Sequence, residues 1–315
     1  MARFAVRRIG QMLVVMFAVS VLTFLIFNVI PGGDPALRMA GKQPDPGQLK
    51  IIREEWGFDE PVYVQYEETM KKVFTADLVS YSTQQDVIQE IWRRAPRTFA
   101  LALGAAILWM VFSIALGVFT AIRAGQFSDR FLTVLALIGI SMPVFWIGAL
   151  MNYYIGFKWG ILPNGGYVPI TEDPWEWFKH LLMPWAALSI LFIGVYSRIL
   201  RSNVLDTMND DFVRTARAKG LPERQVFLKH VLRNSLIPIV TLWGLDFGAV
   251  LGGGAILTET VFDLQGVGQY AAESVDQLDV PPVLAITMFG AFFIVLLNTV
   301  VDILYAALDP RIRLN

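Results

Sequence analysis

The sequence predicts an all-α integral membrane protein, with six transmembrane helices and a helical extracytoplasmic segment after the first. Three observations predict it. Only 17% of the residues are charged and 55% are hydrophobic, with a mean hydropathy of +0.52; soluble domains carry about 25% charge. Six apolar runs approach or exceed the ~20 residues a helix needs to cross a bilayer. None of the six alternates with period two, which excludes barrel strands. The absence of cysteine excludes a disulfide framework, thiolate chemistry and a cysteine-ligated metal.

The first span is 9–30, softened only by Gln11, Ser20, Thr23 and Asn28. Arg3, Arg7 and Arg8 precede it, as in a secretory signal. Its apolar part is longer than a signal's and no A-x-A site follows, so 1–30 reads as a cytoplasmic N-terminus and a retained anchor. The remaining spans are 98–122, 131–157 with Pro143 inside it, 181–197, 234–258 with Asp246 inside it, and 283–301. They make a five-span core over 98–307, followed by a tail at 308–315.

The outer segment 31–97 is too long for a simple connection. It opens with the breaker-rich "PGGDP". A helix is expected after Pro46, with Leu49, Ile52 and Trp56 near one face. "EPVYVQYEETMKKVFTADL" reads as a second helix and "TQQDVIQEIWRRAP" as a third. The segment reads equally as a cap that meets a partner or a substrate and as a loop that packs on the spans. Trp159, Trp175 and Trp177, before span four, fit an interfacial aromatic belt.

Charge sets the direction. With both termini inside, the cytoplasm receives Arg3, Arg7, Arg8, Arg123, Arg130, Arg311 and Arg313, and all the basic residues of 198–233. The segment between spans five and six then faces outward with Glu259, Asp263, Glu273, Asp276 and Asp279 and no Lys or Arg. This obeys the positive-inside rule. Arg93, Arg94 and Arg97, outside span two, are the exception.

Between spans four and five stands "DDFVRTARAKGLPERQVFLKHVLRN". Asp210 and Asp211 suit a helix N-terminus. Val213 and Ala216 share a face. Gly220 sits where a helix ends in a left-handed cap, and Pro222 suits the first turn of the next helix. There Phe227 and Val231 share a face, with Leu228 and Leu232 beside it. Two short basic helices therefore meet at a Gly-Leu-Pro corner. Such a corner fits an anionic lipid surface or a groove on another protein.

The same stretch resembles the EAA loop of binding-protein-dependent ABC importers, and more closely that of the B-type permease subunits of dipeptide and oligopeptide importers. "RRIGQMLVVMFAVSVLTFLIFNVIPGGDP", "GISMPVFWIGAL", "GGGAILTETVFDLQGVGQ" and "VVDILYAALDPRIRLN" resemble the family's first span, third span, end of span five and C-terminus, in order. Arg214 stands at the consensus glutamate and Arg233 at the final proline. Thr215 and Ala216 stand at the two alanines, and Gly220 matches. The B-type permeases tend to share these departures.

The resemblance implies the type I ABC importer permease fold. It also implies that the loop at 210–233 docks in a cleft of a cytoplasmic ATPase and passes its motion to the spans. In that role Ala216 and Gly220 allow close approach and Leu221 inserts. Arg214, Arg217 and Lys219 make polar contacts, with Thr215 and Glu223 in the same loop. The implied partners are a second homologous permease, two ATPase subunits or domains that hold ATP and Mg, an extracytoplasmic substrate-binding protein and membrane lipid, without nucleic acid. The implied location is a bacterial or archaeal plasma membrane, the inner one where there are two. The implied cargo is a peptide; metal chelates and oligosaccharides are the alternatives within the family.

No G-x-x-x-x-G-K-[ST], H-E-x-x-H or G-x-S-x-G pattern occurs, so ATP hydrolysis is expected on other chains and no cofactor on this one. Asp246 is the candidate for the translocation pathway, because an intramembrane acid costs ~2.5–3.5 kcal/mol on insertion scales and usually faces a bundle interior or cavity. An interhelical hydrogen bond is the alternative. A stand-alone secondary transporter with Asp246 as its proton site is a competing class. Gly252, Gly253 and Gly254 suit close helix packing first and a gate second.

Overall fold

The computed structural model describes residues 2–29, 36, 47, 49–50, 53–54 and 57–308. The "PGGDP" exit, Ile52 and Trp56 of the helix expected after Pro46, and the tail with Arg311 and Arg313 lie outside those residues.

The chain is helical. In order come α1 (Ala2–Phe24, continued as a π-helix over Leu25–Val29), α2 (Val62–Thr75), α3 (Val87–Ile122), α4 (Phe127–Ser141) and α5 (Val144–Met151, continued as a π-helix over Asn152–Lys158). Then follow α6 (Pro174–Thr207), α7 (Asp211–Ala218), α8 (Glu223–Gln225), a π-helix over Val226–Leu232, α9 (Arg233–Ala249) and a π-helix over Val250–Gly254. The last elements are α10 (Ile256–Val261), α11 (Val267–Asp276) and α12 (Val280–Leu308). Among the described residues the one β-type pairing is an isolated bridge between Val79 and Asp86.

Among the described residues, five helical stretches are long and apolar enough to cross a membrane: Val6–Phe27, Val87–Ile122, Pro174–Thr207, Glu223–Gly254 and Val280–Ile303. The expected third span is not one straight helix. Phe127–Ser141 and Val144–Lys158 meet at 98°. Met142 is extended (φ −90°, ψ 131°), because the ring of Pro143 disfavours helical geometry in the residue before it. The Pro143 carbonyl then accepts from the N–H groups of Trp146 and Ile147 and starts a new helix. At 15 residues α4 is about 22 Å long, short of the ~30 Å hydrocarbon core. The described residues thus hold six spans only if the broken pair counts as one.

Other proline positions do not interrupt their helices. The third outer helix and span two are a single 36-residue helix that runs through Pro96, so the boundary expected at 97/98 falls inside a helix. Pro96 removes one backbone N–H. Ion pairs hold the turn before it: Arg93 Nε and Arg94 Nε donate to Glu90 at 2.7 and 2.6 Å. Span four is likewise longer than expected, at 34 residues with Pro184 inside. Asp173 caps its start by accepting from the N–H groups of Trp175 and Glu176.

The chain divides into two units. The first comprises Met1–Phe99, Gly248–Thr260 and Leu264–Asn315. Within it α1 packs along α12, with Arg8 and Asp302 paired at 3.0 Å. Tyr66 of α2 bonds Ser20 at 2.8 Å and meets the edge of Phe24. Val87, Ile91 and Ala95 of α3 share a core with Val267 and Tyr270 of α11 and Ala285 of α12. Asp279 gathers the 80–82 turn, accepting from Ser80 Oγ (2.5 Å), Tyr81 N (3.0 Å) and Ser82 N (3.3 Å). Arg93, Arg94 and Arg97, the expected exceptions to the charge rule, are engaged here. Arg93 and Arg94 pair with Glu90, Arg94 also reaches Glu273, and Arg97 donates to the Gln265 carbonyl. Arg93 and Arg94 are thus offset by carboxylates.

The second unit comprises Ala100–Phe247 and Val261–Asp263. Small residues let its helices close up. A Cβ on Gly104 would lie 2.0 Å from the indole of Trp185. One on Gly117 would lie 2.9 Å from Leu200, and one on Gly194 2.8 Å from the Ala136 carbonyl. Trp185 Nε1 donates to the Ala100 carbonyl at 2.9 Å. Buried Asp129, at the start of α4, takes a two-pronged bond from Arg201 of α6, both arms 2.8 Å. Such paired geometry is the strong form of the interaction.

Candidate functional site

The basic corner is built from α7, a Lys219-Gly220-Leu221-Pro222 turn and α8. Gly220 adopts φ +76°, the left-handed geometry that glycine takes without steric cost. A Cβ there would meet nothing within 4 Å, so the requirement for glycine within this chain is conformational. Arg214, Thr215, Arg217, Lys219 and Glu223 are exposed and Leu221 is half-buried. Arg217 spans the turn to pair with Glu223 at 2.9 Å, and Arg214 lies 3.4 Å from Asp211. Both pairs are exposed and contribute little to stability.

Two expectations change. Ala216 is 5% exposed and Val213 fully buried, so Ala216 packs inward and its methyl is not on the exposed surface. The second helix of the corner is not short. Glu223–Gly254 is one continuous stretch, and the corner is the end of a spanning helix. Its first part is π-helical, which widens the repeat to i→i+5. Val226 and Val231, five apart, are therefore the buried pair, while the ordinary 3.6 period had paired Phe227 with Val231. Ser235 Oγ donates to the Asn203 carbonyl at 3.2 Å and fastens the start of α9 to the end of α6.

Asp246 lies three-quarters of the way along that same stretch and is half-buried. It accepts a 2.5 Å bond from Tyr196 Oη of α6. Around the pair, Trp243 stacks on Phe247 with centroids 5.4 Å apart, and Trp109 stacks on Phe192 at 4.3 Å. Trp243 Nε1 is held by the Ala106 carbonyl at 3.0 Å. The interhelical hydrogen bond is present, and the half-exposed carboxylate keeps acceptor capacity beyond it.

The three glycines play separate parts. Gly252 lies against Gly290 of α12: a Cβ on Gly290 would come within 2.4 Å of the Gly252 carbonyl oxygen. Gly253 has φ +137° and kinks the π-helix. A Cβ on Gly254 would lie 3.1 Å from the Ala249 carbonyl oxygen.

One residue beside them escaped the sequence reading. Glu259, expected among the outward acids, is fully buried. Its carboxylate accepts from Thr98 Oγ1 (2.7 Å) and from the N–H of Gln269 (2.9 Å) at the N-terminus of α11, and the Gly268 N–H adds a third bond. Val267 N–H in turn donates to Thr98 Oγ1 at 2.9 Å. Burial pushes the Glu259 carboxyl above its ordinary range, and these donors pull against it. A Cβ on Gly266 would lie 2.3 Å from that carboxylate. The signal in the sequence is "ETVFDLQGVGQ", an acid followed by two glycines where a helix begins. Glu259 and Thr98 also line a cavity of about 250 Å³ with Gly252, Gly253, Gly268 and Gly290.

Long apolar helices, one of which ends in a structured basic corner, define a multi-span membrane protein. The chain belongs to the family of binding-protein-dependent transport system inner membrane components, whose profile matches residues 113–314. The profile of the N-terminal part of such membrane components matches residues 1–102. Among similar proteins, a Brucella abortus (strain 2308) protein described as a peptide transport system permease is 36% identical over 99% of both chains. The dipeptide transport system permease DppB of Alkalihalophilus pseudofirmus is 34% identical over 99% of this chain and all of its own. The glutathione transport system permease GsiC of Escherichia coli O6:H1 is 35% identical over 99% of both. The chain is thus a transport permease subunit.

Proposed function

We propose that this chain forms half of a peptide import pathway, with a second homologous permease as the other half. Two ATPase subunits or domains engage the corner from the cytoplasm, and a binding protein delivers cargo on the opposite face. ATP and Mg belong to the ATPases, and this chain holds no cofactor. The observation that carries the reading is the continuity of corner and span over Glu223–Gly254: a push on the corner at Glu223 reaches Asp246 along one helical stretch. Relatives named for peptide, dipeptide and glutathione transport support a peptide cargo. The Arg8–Asp302 pair, which brings the start of α1 beside the end of α12, supports both ends on one side, and the excess of basic residues assigns that side to the cytoplasm.

An ATPase can drive the pore only if it binds the corner differently in the pore's two states. Gly220→Trp forces a bulky residue into left-handed geometry, at a local cost of about 1–2 kcal/mol, and places an indole on the docking face. The expected result is a chain that inserts and assembles but whose ATP hydrolysis no longer drives uptake. Coupled uptake at the normal rate by an assembled Gly220→Trp complex would sink the reading.

Asp246 is proposed to hold a peptide's ammonium during passage, with Tyr196 orienting the carboxylate. Asp246→Asn keeps the shape and removes the charge. Uptake of peptides with a free amino terminus should fall about tenfold or more, the loss expected for a charge-assisted bond of roughly 1.5–3 kcal/mol, and N-acetylated peptides should be indifferent to the change. Equal losses for both peptide classes in a transport assay would remove Asp246 from cargo contact.

A further inference from the structure

We propose that the groove between α4 and α6, near the corner, is a binding site for the phosphate of an anionic phospholipid. The groove encloses about 540 Å³ and is lined by Thr133 and Ile140 of α4 and by Val195, Arg198, Ile199, Arg201 and Ser202 of α6.

Its polarity is sorted along its length. The two helices run antiparallel, because Asp129 meets Arg201 while Ala136 and Ile140 lie against Gly194. One end of the groove therefore gathers Thr133, Arg198, Arg201 and Ser202. The other end, about two turns away along α4, presents Ile140 and Val195. A headgroup above an acyl chain has the same order of polarity. The polar end also lies towards the end of α6 that leads into the corner, which assigns the site to the membrane leaflet on the corner's side.

Its charge is equally selective. Arg201 gives Nε and Nη2 to Asp129 and keeps Nη1 to donate elsewhere, so the buried carboxylate orients this guanidinium without using it up. Arg198 is exposed, and no carboxylate among the described residues pairs with it. Two arginines against one aspartate leave one uncompensated positive charge. Planar guanidinium groups match phosphate oxygens two at a time, and basic pockets between spanning helices hold anionic headgroups. A zwitterionic lipid offers the same phosphate with an ammonium attached, which this charge disfavours. The inference needs only that the chain lies in a bilayer, and so stands apart from the transport reading.

The test is retention of lipid by the full-length chain in detergent, read by native mass spectrometry with phosphatidylglycerol, phosphatidylcholine and inorganic phosphate as probes. Phosphatidylglycerol should be retained over phosphatidylcholine. Arg198→Gln should lower its retention about fivefold, the factor for one basic residue near an anionic headgroup, and leave phosphatidylcholine unchanged. Arg198 makes no hydrogen bond or ion pair among the described residues, so the variant should melt at the same temperature as the unaltered chain when no lipid is added. Independently of any variant, phosphatidylglycerol should raise that melting temperature more than phosphatidylcholine does. Equal retention of the two lipids, unaltered retention by Arg198→Gln, or displacement of phosphatidylglycerol by millimolar inorganic phosphate would overturn the proposal, the last by reassigning the groove to a free anion.

Discussion

Glu259→Ala is expected to cost the fold about 3 kcal/mol or more and to abolish uptake. The substitution orphans the Thr98 hydroxyl and the Gln269 and Gly268 N–H groups inside a fully buried site, and each buried unsatisfied donor costs roughly 1–3 kcal/mol. The N-terminus of α11 then loses the carboxyl group that accepts its N–H bonds, and the shared core of α3, α11 and α12 loses its anchor. Glu259→Gln keeps one carbonyl acceptor and turns an amide donor towards the others, so its loss should be intermediate. Thermal melting in detergent orders the three proteins; an alanine variant as stable as the parent would contradict the capping role.

The same carboxyl makes a pH prediction. Its pKa in the folded chain is raised by burial above the unfolded value, so the folded state binds a proton that the unfolded state has already released. Its contribution to stability is therefore complete below the ordinary carboxylate range and is lost as pH rises through the folded pKa. Glu259→Gln should flatten that part of the stability profile. A profile in which the parent instead gains stability from Glu259 with rising pH would show that the hydrogen bonds outweigh burial.

Gly104→Ala is the second large effect. The added methyl would stand 2.0 to 2.5 Å from three atoms of the Trp185 indole, a distance no Cβ tolerates. Trp185 must move, which overpacks the α3–α6 contact and breaks its bond to the Ala100 carbonyl. Overpacking costs ~1–3 kcal/mol and an orphaned indole N–H a similar amount. The melting temperature should fall sharply, with increased protease sensitivity. Gly10→Ala, where a Cβ meets nothing within 4 Å, is the control and should melt as the parent does. Indistinguishable melting of the two variants would dismiss the close-packing account.

The sequence by itself determined the material of this protein and much of its plan. Apolar runs of spanning length and a basic corner around Gly220 were readable, because hydropathy, charge and turn chemistry are local properties. The left-handed Gly220 was readable for the same reason. Which prolines break a helix was not: Pro96, Pro184 and Pro238 sit inside continuous helices while Pro143 turns the chain through 98°. Proline always removes a donor, but neighbouring contacts decide whether the helix survives the loss. The inward turn of Ala216 and the Val226–Val231 pair also lay beyond reach, since a π-helical register is invisible to a 3.6-residue period. Only the tertiary structure brought Thr98 to Glu259, or Tyr196 to Asp246, because residues 161 and 50 positions apart in sequence meet only when long helices pack side by side.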